Sequence, residues 1–214
     1  MTRKGLMIGA GAFIILTIAM VGCRNVAPPP PQTVIVSSSW PALTIPADVQ
    51  SIAVFYPQSS NWNFSEAYHR LEGAVFQLKA YRSKLIIVDR FNLPTIIREL
   101  QFQTGGAVTD DRALHIGRIL GVDSVLIYSI EGPTLSDRFM ARRLSLVRPI
   151  TITTKIIRVE SAEVVYHDVV VAKMEDNGYG ERWLFDNDDY PLLSREALER
   201  SIKQTVVDLQ RAFQ

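Results

Sequence analysis

Ile116-Gly117-Arg118-Ile119-Leu120-Gly121-Val122-Asp123-Ser124-Val125-Leu126-Ile127-Tyr128-Ser129-Ile130 changes from a helical to an extended pattern in its middle. Upstream of the change, Thr109 or Asp110 caps a helix whose inward face is Ala113, Leu114, Gly117 and Leu120. Gly121 stands at the C-cap position, where a left-handed residue ends a helix at least steric cost. Val122 to Ile130 then alternates as a strand and stops at Gly132-Pro133. Asp123 is placed to satisfy free backbone donors where that strand begins. The stretch therefore predicts a helix that turns directly into a sheet.

The pattern continues on both sides. Ser51 to Phe55 is a short apolar run closed by Tyr56-Pro57, as expected for a buried strand. After a polar loop from Gln58 to Asn63, Ser65 is the expected N-cap of a helix with Ala67, Leu71, Ala74, Val75 and Leu78 on one face. Leu85 to Val88 is a second buried strand. Asn92 caps a further helix with Pro94 in its first turn, and Gly105-Gly106 breaks it. A longer strand is expected from about Val147 to Val159, with Pro149 marking an edge or a late start. Ser161-Ala162-Glu163 turns it into Val164 to Met174. A last helix, from about Leu192 to Phe213, carries Leu198, Ile202, Val206, Leu209 and Phe213 on one face. The order β-α-β-α-α-β-β-β-α predicts an α/β (mixed α+β) domain, a mixed sheet flanked by helices, over residues 50–214.

The N-terminal region has a different character. Arg3 and Lys4 precede an uncharged apolar run from Gly5 to Gly22, and a small residue stands before Cys23, the single cysteine. This is the layout of a secretory signal over residues 1–22. The eighteen residues from Gly5 to Gly22 are also just long enough to span a bilayer, but four are glycine and no basic stop-transfer cluster follows. Met20-Val21-Gly22-Cys23 resembles the lipobox of bacterial lipoproteins. The resemblance implies cleavage after Gly22 and acylation of Cys23 with fatty acids such as palmitate. Arg24, rather than an aspartate, follows Cys23, which by the sorting pattern of enteric bacteria implies an outer-membrane lipoprotein facing the periplasm. Residues 23–49 then read as a tether rich in proline and serine, with Pro28 to Pro31 favouring an extended spacer. Val34-Ile35-Val36 and Trp40 are its sticky positions.

Composition removes several classes of function. The chain has 23 basic and 22 acidic side chains, and loss of residues 1–22 removes Arg3 and Lys4 to leave 21 against 22. So even a balance gives no footprint for nucleic acid and no field to steer a charged substrate. One cysteine builds no internal disulfide framework. His69, His115 and His167 lie far apart and lack metal-ligand spacing. No nucleophile-elbow, phosphate-loop or dinucleotide motif occurs, and Asp186-Asn187-Asp188-Asp189 lacks the glycine and distal glutamate of a calcium loop. The sequence predicts no catalytic residue, no metal, no cofactor and no small-molecule substrate.

Taken in order, five stretches resemble one family. They are Ser51-Ile-Ala-Val-Phe55, Lys84 to Leu93 with its Val-Asp-Arg, Glu99 to Val108 with its Gly105-Gly106, Ile116 to Ile130 with its Leu-Gly-Val-Asp, and the Thr153 to Tyr166 hairpin with Ser161-Ala162-Glu163 at a turn where the family has Thr-Gly-Glu. Over residues 50 to 174 the chain is similar to the CsgG-like lipoproteins, the family of the curli secretion channel. The resemblance implies a three-layer domain of the CsgG or TolB N-terminal type, and an accessory or scaffold of outer-membrane secretion that meets copies of itself or other envelope proteins. One alternative is a tethered regulator of an envelope enzyme, of the kind that activates penicillin-binding proteins. A second is an oligomeric secretion pore.

A pore of this family needs two membrane-crossing hairpins per subunit. The corresponding segments here, 131–149 and 175–191, are rich in charge, which is costly on a lipid-facing strand. They are expected to be soluble loops. Tyr56, Asn61, Trp62 and Phe64, where pore-forming members place their constriction, are either a candidate interaction loop or an ordinary solvated loop. Arg138, Arg142, Arg143 and Arg148 are either a docking face or ordinary solvated charge.

Overall fold

The computed structural model describes residues 32–37, 44–57, 61–88, 109–141, 146–175 and 190–214. Cys23, Asn92 to Gly106, Arg142, Arg143 and Asp186 to Asp189 lie outside them, as do residues 176–189 of the second loop.

Six strands form one mixed sheet: β1 (Gln32–Ser37), β2 (Ser51–Phe55), β3 (Ile86–Val88), β4 (Ser124–Glu131), β5 (Ile150–Arg158) and β6 (Val164–Glu175). Their spatial order is β1-β6-β5-β4-β2-β3. β2 runs parallel to both β3 and β4, and the other pairs are antiparallel. Four helices accompany them: α1 (Trp62–Gln77), α2 (Asp110–Leu120), α3 (Leu135–Met140) and α4 (Tyr190–Ala212). The mixed α/β architecture is the one the sequence pattern implies.

Among the described residues, the two faces of the sheet are covered unequally. α1 and α4 lie on one face and enclose the larger core, which includes Ile52, Val54, Leu126, Ile152, Leu71 and Ile202. α2 lies on the other face, over β2 and β4, and encloses Ala53, Phe55, Val125, Ile127, Leu114 and Ile157. β4 is therefore covered on both sides and reads as a near-continuous apolar run. Beyond α2, the second face of β5 and β6 carries half-buried Thr151, Thr153, Val169 and Val171, flanked by exposed His167 and Lys173.

The helix-to-strand joint has the expected chemistry. Gly121 sits at φ 67°, and its N–H and that of Val122 close onto the last turn of α2. Gly117 lets this helix touch the sheet, since a Cβ there would come within 2.7 Å of Val125 and 2.8 Å of Val159. Asp123 Oδ2 accepts from the N–H groups of Gln50 (2.8 Å) and Ser51 (2.6 Å), while Ser51 Oγ accepts from Asp123 N–H (2.8 Å). Three residues past the last β2–β4 pair, where β4 has outrun its neighbour, the Tyr68 hydroxyl accepts from Ile130 N–H at 2.7 Å.

Three expectations change. Gln32–Ser37, read as spacer, is an edge strand paired antiparallel to β6, because its β-branched run offers good strand geometry to an otherwise open edge. The packed body thus begins before residue 50: Ile45 is fully buried, and its N–H donates to Ala212 O at 2.8 Å. α1 starts at Trp62 rather than after Ser65, because the Asn61 side chain accepts from Asn63 N–H and caps it. The 131–149 connection contains α3, held by a capping box in which Thr134 and Asp137 each satisfy the other's backbone. Pro149 marks a late start rather than an edge, since β5 begins at Ile150 in mid-sheet.

Candidate functional site

The candidate loop residues are placed by packing. Tyr56 is buried, stacks on Tyr68 with centroids 4.9 Å apart, and donates its hydroxyl proton to Glu72 at 2.9 Å. Asn61 is the cap of α1. Phe64 is half-buried with its ring tip against Gly132. Trp62 is the first residue of α1. Tyr56 faces the core, and Asn61 to Phe64 begin a helix. The sequence read this stretch as loop because Asn61 was not recognised as a cap.

Of the arginine group, Arg138 is on α3, and exposed Arg148 lies 3.8 Å from Asp137. The largest exposures of apolar side chains among the described residues are Met140 (76%) and Leu135 (73%) on α3, Leu146 (67%) ahead of β5 and Leu192 (67%) on α4. These four were not singled out in the sequence, although Leu135, Met140 and Leu146 alternate with its arginines.

Two hollows border the folded body. A groove of about 640 Å³ runs between α1 and α4, lined by Gly73, Ala74, Gln77, Lys203 and Val206, with Arg70 donating to Glu199 at 2.6 Å across it. That hydrogen bond keeps the Glu199 carboxyl below its ordinary range. The second, of about 800 Å³, is at the end of the sheet where β2 and β4 begin. There Arg158 grips Asp48 with two hydrogen bonds (2.6 and 2.8 Å) and holds its carboxyl below the usual range. Arg158 also lies 3.5 Å from Glu163, so Asp48, Arg158 and Glu163 are paired within the hollow.

Beneath α4 is a buried acidic position that the sequence reading missed. Asp168 points inward from β6 between Tyr166 and Val170 and is 3% exposed. No side chain donates to either carboxylate oxygen. Burial, and next the nearby Asp208, raise its pKa, while the Val169 N–H opposes the shift. Asp208 is held from solvent-facing positions by Gln204 (2.9 Å) and Arg211 (3.2 Å). The signal was present, since an aspartate at an inward position of an alternating strand breaks the pattern. No group of acidic, histidine or cysteine side chains that could hold a metal occurs among the described residues. His69, His115 and His167 sit on α1, α2 and β6, apart from one another.

No family model matches the chain, and no curated protein sequence matches it either. Solved structures do. The PelC dodecamer from Paraburkholderia phytofirmans is 15% identical with a TM-score of 0.40, over 84% of this chain and 98% of that one. The lipoprotein GNA1162 from Neisseria meningitidis is 13% identical with a TM-score of 0.39, over 74% of this chain and 98% of that one. The C-terminal domain of LpoB from Escherichia coli is 18% identical with a TM-score of 0.38, over 57% of this chain and 82% of that one. At these values the likenesses carry no argument about function, and the functional reading rests on the chain itself. No helix among the described residues is long and apolar enough to cross a membrane.

Proposed function

We propose that the chain is a non-enzymatic lipoprotein of the outer membrane, anchored through acylated Cys23, that serves as an accessory or scaffold in envelope secretion or surface assembly. The observation that carries this reading is the unequal covering of the sheet by the described residues. Thr151, Thr153, Val169 and Val171 present a half-buried, flat band of β-branched side chains beyond the reach of α2. Such a band suits contact with a second copy or another envelope protein, because it offers apolar area already ordered by the sheet. The residues behind the family resemblance, Gly121 and Asp123, serve the fold. The nine residue steps from Cys23 to Gln32 extend at most about 30 Å, too short a reach to favour a regulator that works far from its membrane. α3, a helix in the first segment where a pore would need a crossing strand, weighs against the pore.

Size measurement on detergent-extracted protein tests the assembly reading. The expected result is a complex larger than the mature chain that is lost in Val171→Glu. A monomer in gentle extracts, unchanged by that substitution, overturns it. Mass spectrometry of the N-terminal peptide tests the anchor, expecting an acylated Cys23 and no residue before it.

A further inference from the structure

The strand register sorts the loops into two ends. Gln32 pairs with Glu175, Ala172 with Ile150, and Thr151 with Glu131. The start of β1, the end of β4 and the start of β5 therefore share one end of the sheet. The connection carrying α3 leaves from that end. α4 begins there too, because its final turn meets Ile45 and Asp208 lies by Asp168, both towards the opposite end. The four most exposed large apolar side chains among the described residues, Met140, Leu135, Leu146 and Leu192, are thus all at the end where the chain arrives from Cys23.

Charge follows the same polarity. Between Leu135 and Arg148 the sequence has four arginines against one aspartate, although the mature chain is almost neutral. At the opposite end, the hollow is bordered by Asp48, Asp123, Glu160 and Glu163 against Arg118 and Arg158. The strand spacing puts the end of β4 and the start of β5, which flank the α3 connection, within roughly 14 Å of the start of β1.

We infer that this end of the domain is a membrane-contact surface: Leu135, Met140, Leu146 and Leu192 enter the interface of an anionic bilayer while exposed Arg148 meets its headgroups. Exposed apolar side chains beside arginine are the pattern of an interfacial contact. The inference rests on the lipid-anchor reading, which brings this end within about 30 Å of the bilayer by chain length alone. It adds that the domain lies down on the membrane in one orientation rather than hanging from a spacer.

The test uses the full-length expressed, membrane-purified protein in vesicles of phosphatidylethanolamine and phosphatidylglycerol. Met140→Cys and Ile119→Cys each receive an environment-sensitive fluorophore, and nitroxide-bearing lipid is the quencher. Ile119 is exposed at the end of α2, next to the start of β4, and reports the opposite end. Quenching should be several-fold stronger at position 140 than at 119, and the contrast should shrink when phosphatidylglycerol is replaced by phosphatidylcholine. Equal quenching at the two positions overturns the inference, as does a label at 140 shielded by a second copy without lipid quenching. Failure of the anchor reads out separately: an unacylated Cys23 takes up a second fluorophore and gives an unmodified N-terminal mass, and then both readings fall.

Discussion

Removal of the Asp123 carboxylate tests whether the most legible motif in the chain is a structural clasp. Asp123 Oδ2 accepts from two backbone N–H groups, those of Gln50 and Ser51, and ties the start of β2 to the start of β4 across 72 residues of sequence. A hydrogen bond to a charged acceptor contributes roughly 1.5–3 kcal/mol when buried, but this corner is exposed and water replaces part of what is lost. Asp123→Ala should therefore cost about 1–2 kcal/mol, or roughly 2–8 °C in Tm for a domain of this size. Asp123→Asn keeps an acceptor without the charge and should lose about half as much. Urea unfolding of single and double variants is the assay. Ser51→Ala removes the reciprocal acceptor for Asp123 N–H, so its effect should couple to that of Asp123→Ala by about 0.5 kcal/mol. Thr134→Ala, at the opposite end of β4, should add independently within about 0.5 kcal/mol. An Asp123→Ala variant as stable as wild type, or one coupled as strongly to Thr134 as to Ser51, refutes the clasp.

Gly117→Ala should destabilise by about 1–3 kcal/mol in the same assay, because the new methyl would overlap Val125 and Val159 and push α2 from the sheet. Ala162 is held at φ 58° in the β5–β6 turn, so Ala162→Gly should stabilise by about 0.5–1 kcal/mol, seen as a higher urea midpoint with an unchanged slope. For Asp168 the sign follows from burial: the folded state holds its proton more tightly than the unfolded chain does. Its contribution to stability falls as pH rises from the ordinary aspartate range through the raised folded pKa, and stays unfavourable above it. Asp168→Asn should remove that decline and gain on wild type as pH rises through the window, with Asp208, Gln204, Arg211, Tyr166 and His167 unchanged around it. Parallel stability–pH curves for the two proteins would contradict this.

The fold was legible where one residue meets one physical demand. Gly121 marks a left-handed helix end, and the inward residues of α1 and α4 repeat at helical spacing, so those elements appear where periodicity puts them. β1 was hidden because Gln32–Ser37 follows a run of prolines and its pairing partner, Val170 to Glu175, lies over 130 residues away. Strand pairing of that range is decided by an open sheet edge, which no local pattern reports. α3 was hidden for the opposite reason: at six residues it is too short to show a period, and only the Thr134–Asp137 box announces it. The turn at Ala162 is instructive in another way. The family pattern has glycine there, and the positive φ explains why, while alanine shows that the fold tolerates the strain. Of the candidate site residues, Tyr56 and Phe64 were noticed for being aromatic in a presumed loop, but aromatic side chains with apolar neighbours in reach become core.

The pairing of β1 also has a mechanical consequence. A chain anchored at Cys23 transmits any pull into the domain through Gln32, along the axis of a strand whose hydrogen bonds to β6 lie across the direction of force. All six β1–β6 residue pairs are then loaded together, in shear, instead of being unzipped one after another. Behind β1, Arg200 donates from α4 to Thr33 O at 2.8 Å, which adds a second element to the strained seam. With the proposed anchor at Cys23, the lifetime of the domain under tension is set by the rate at which this edge strand is torn free as a unit.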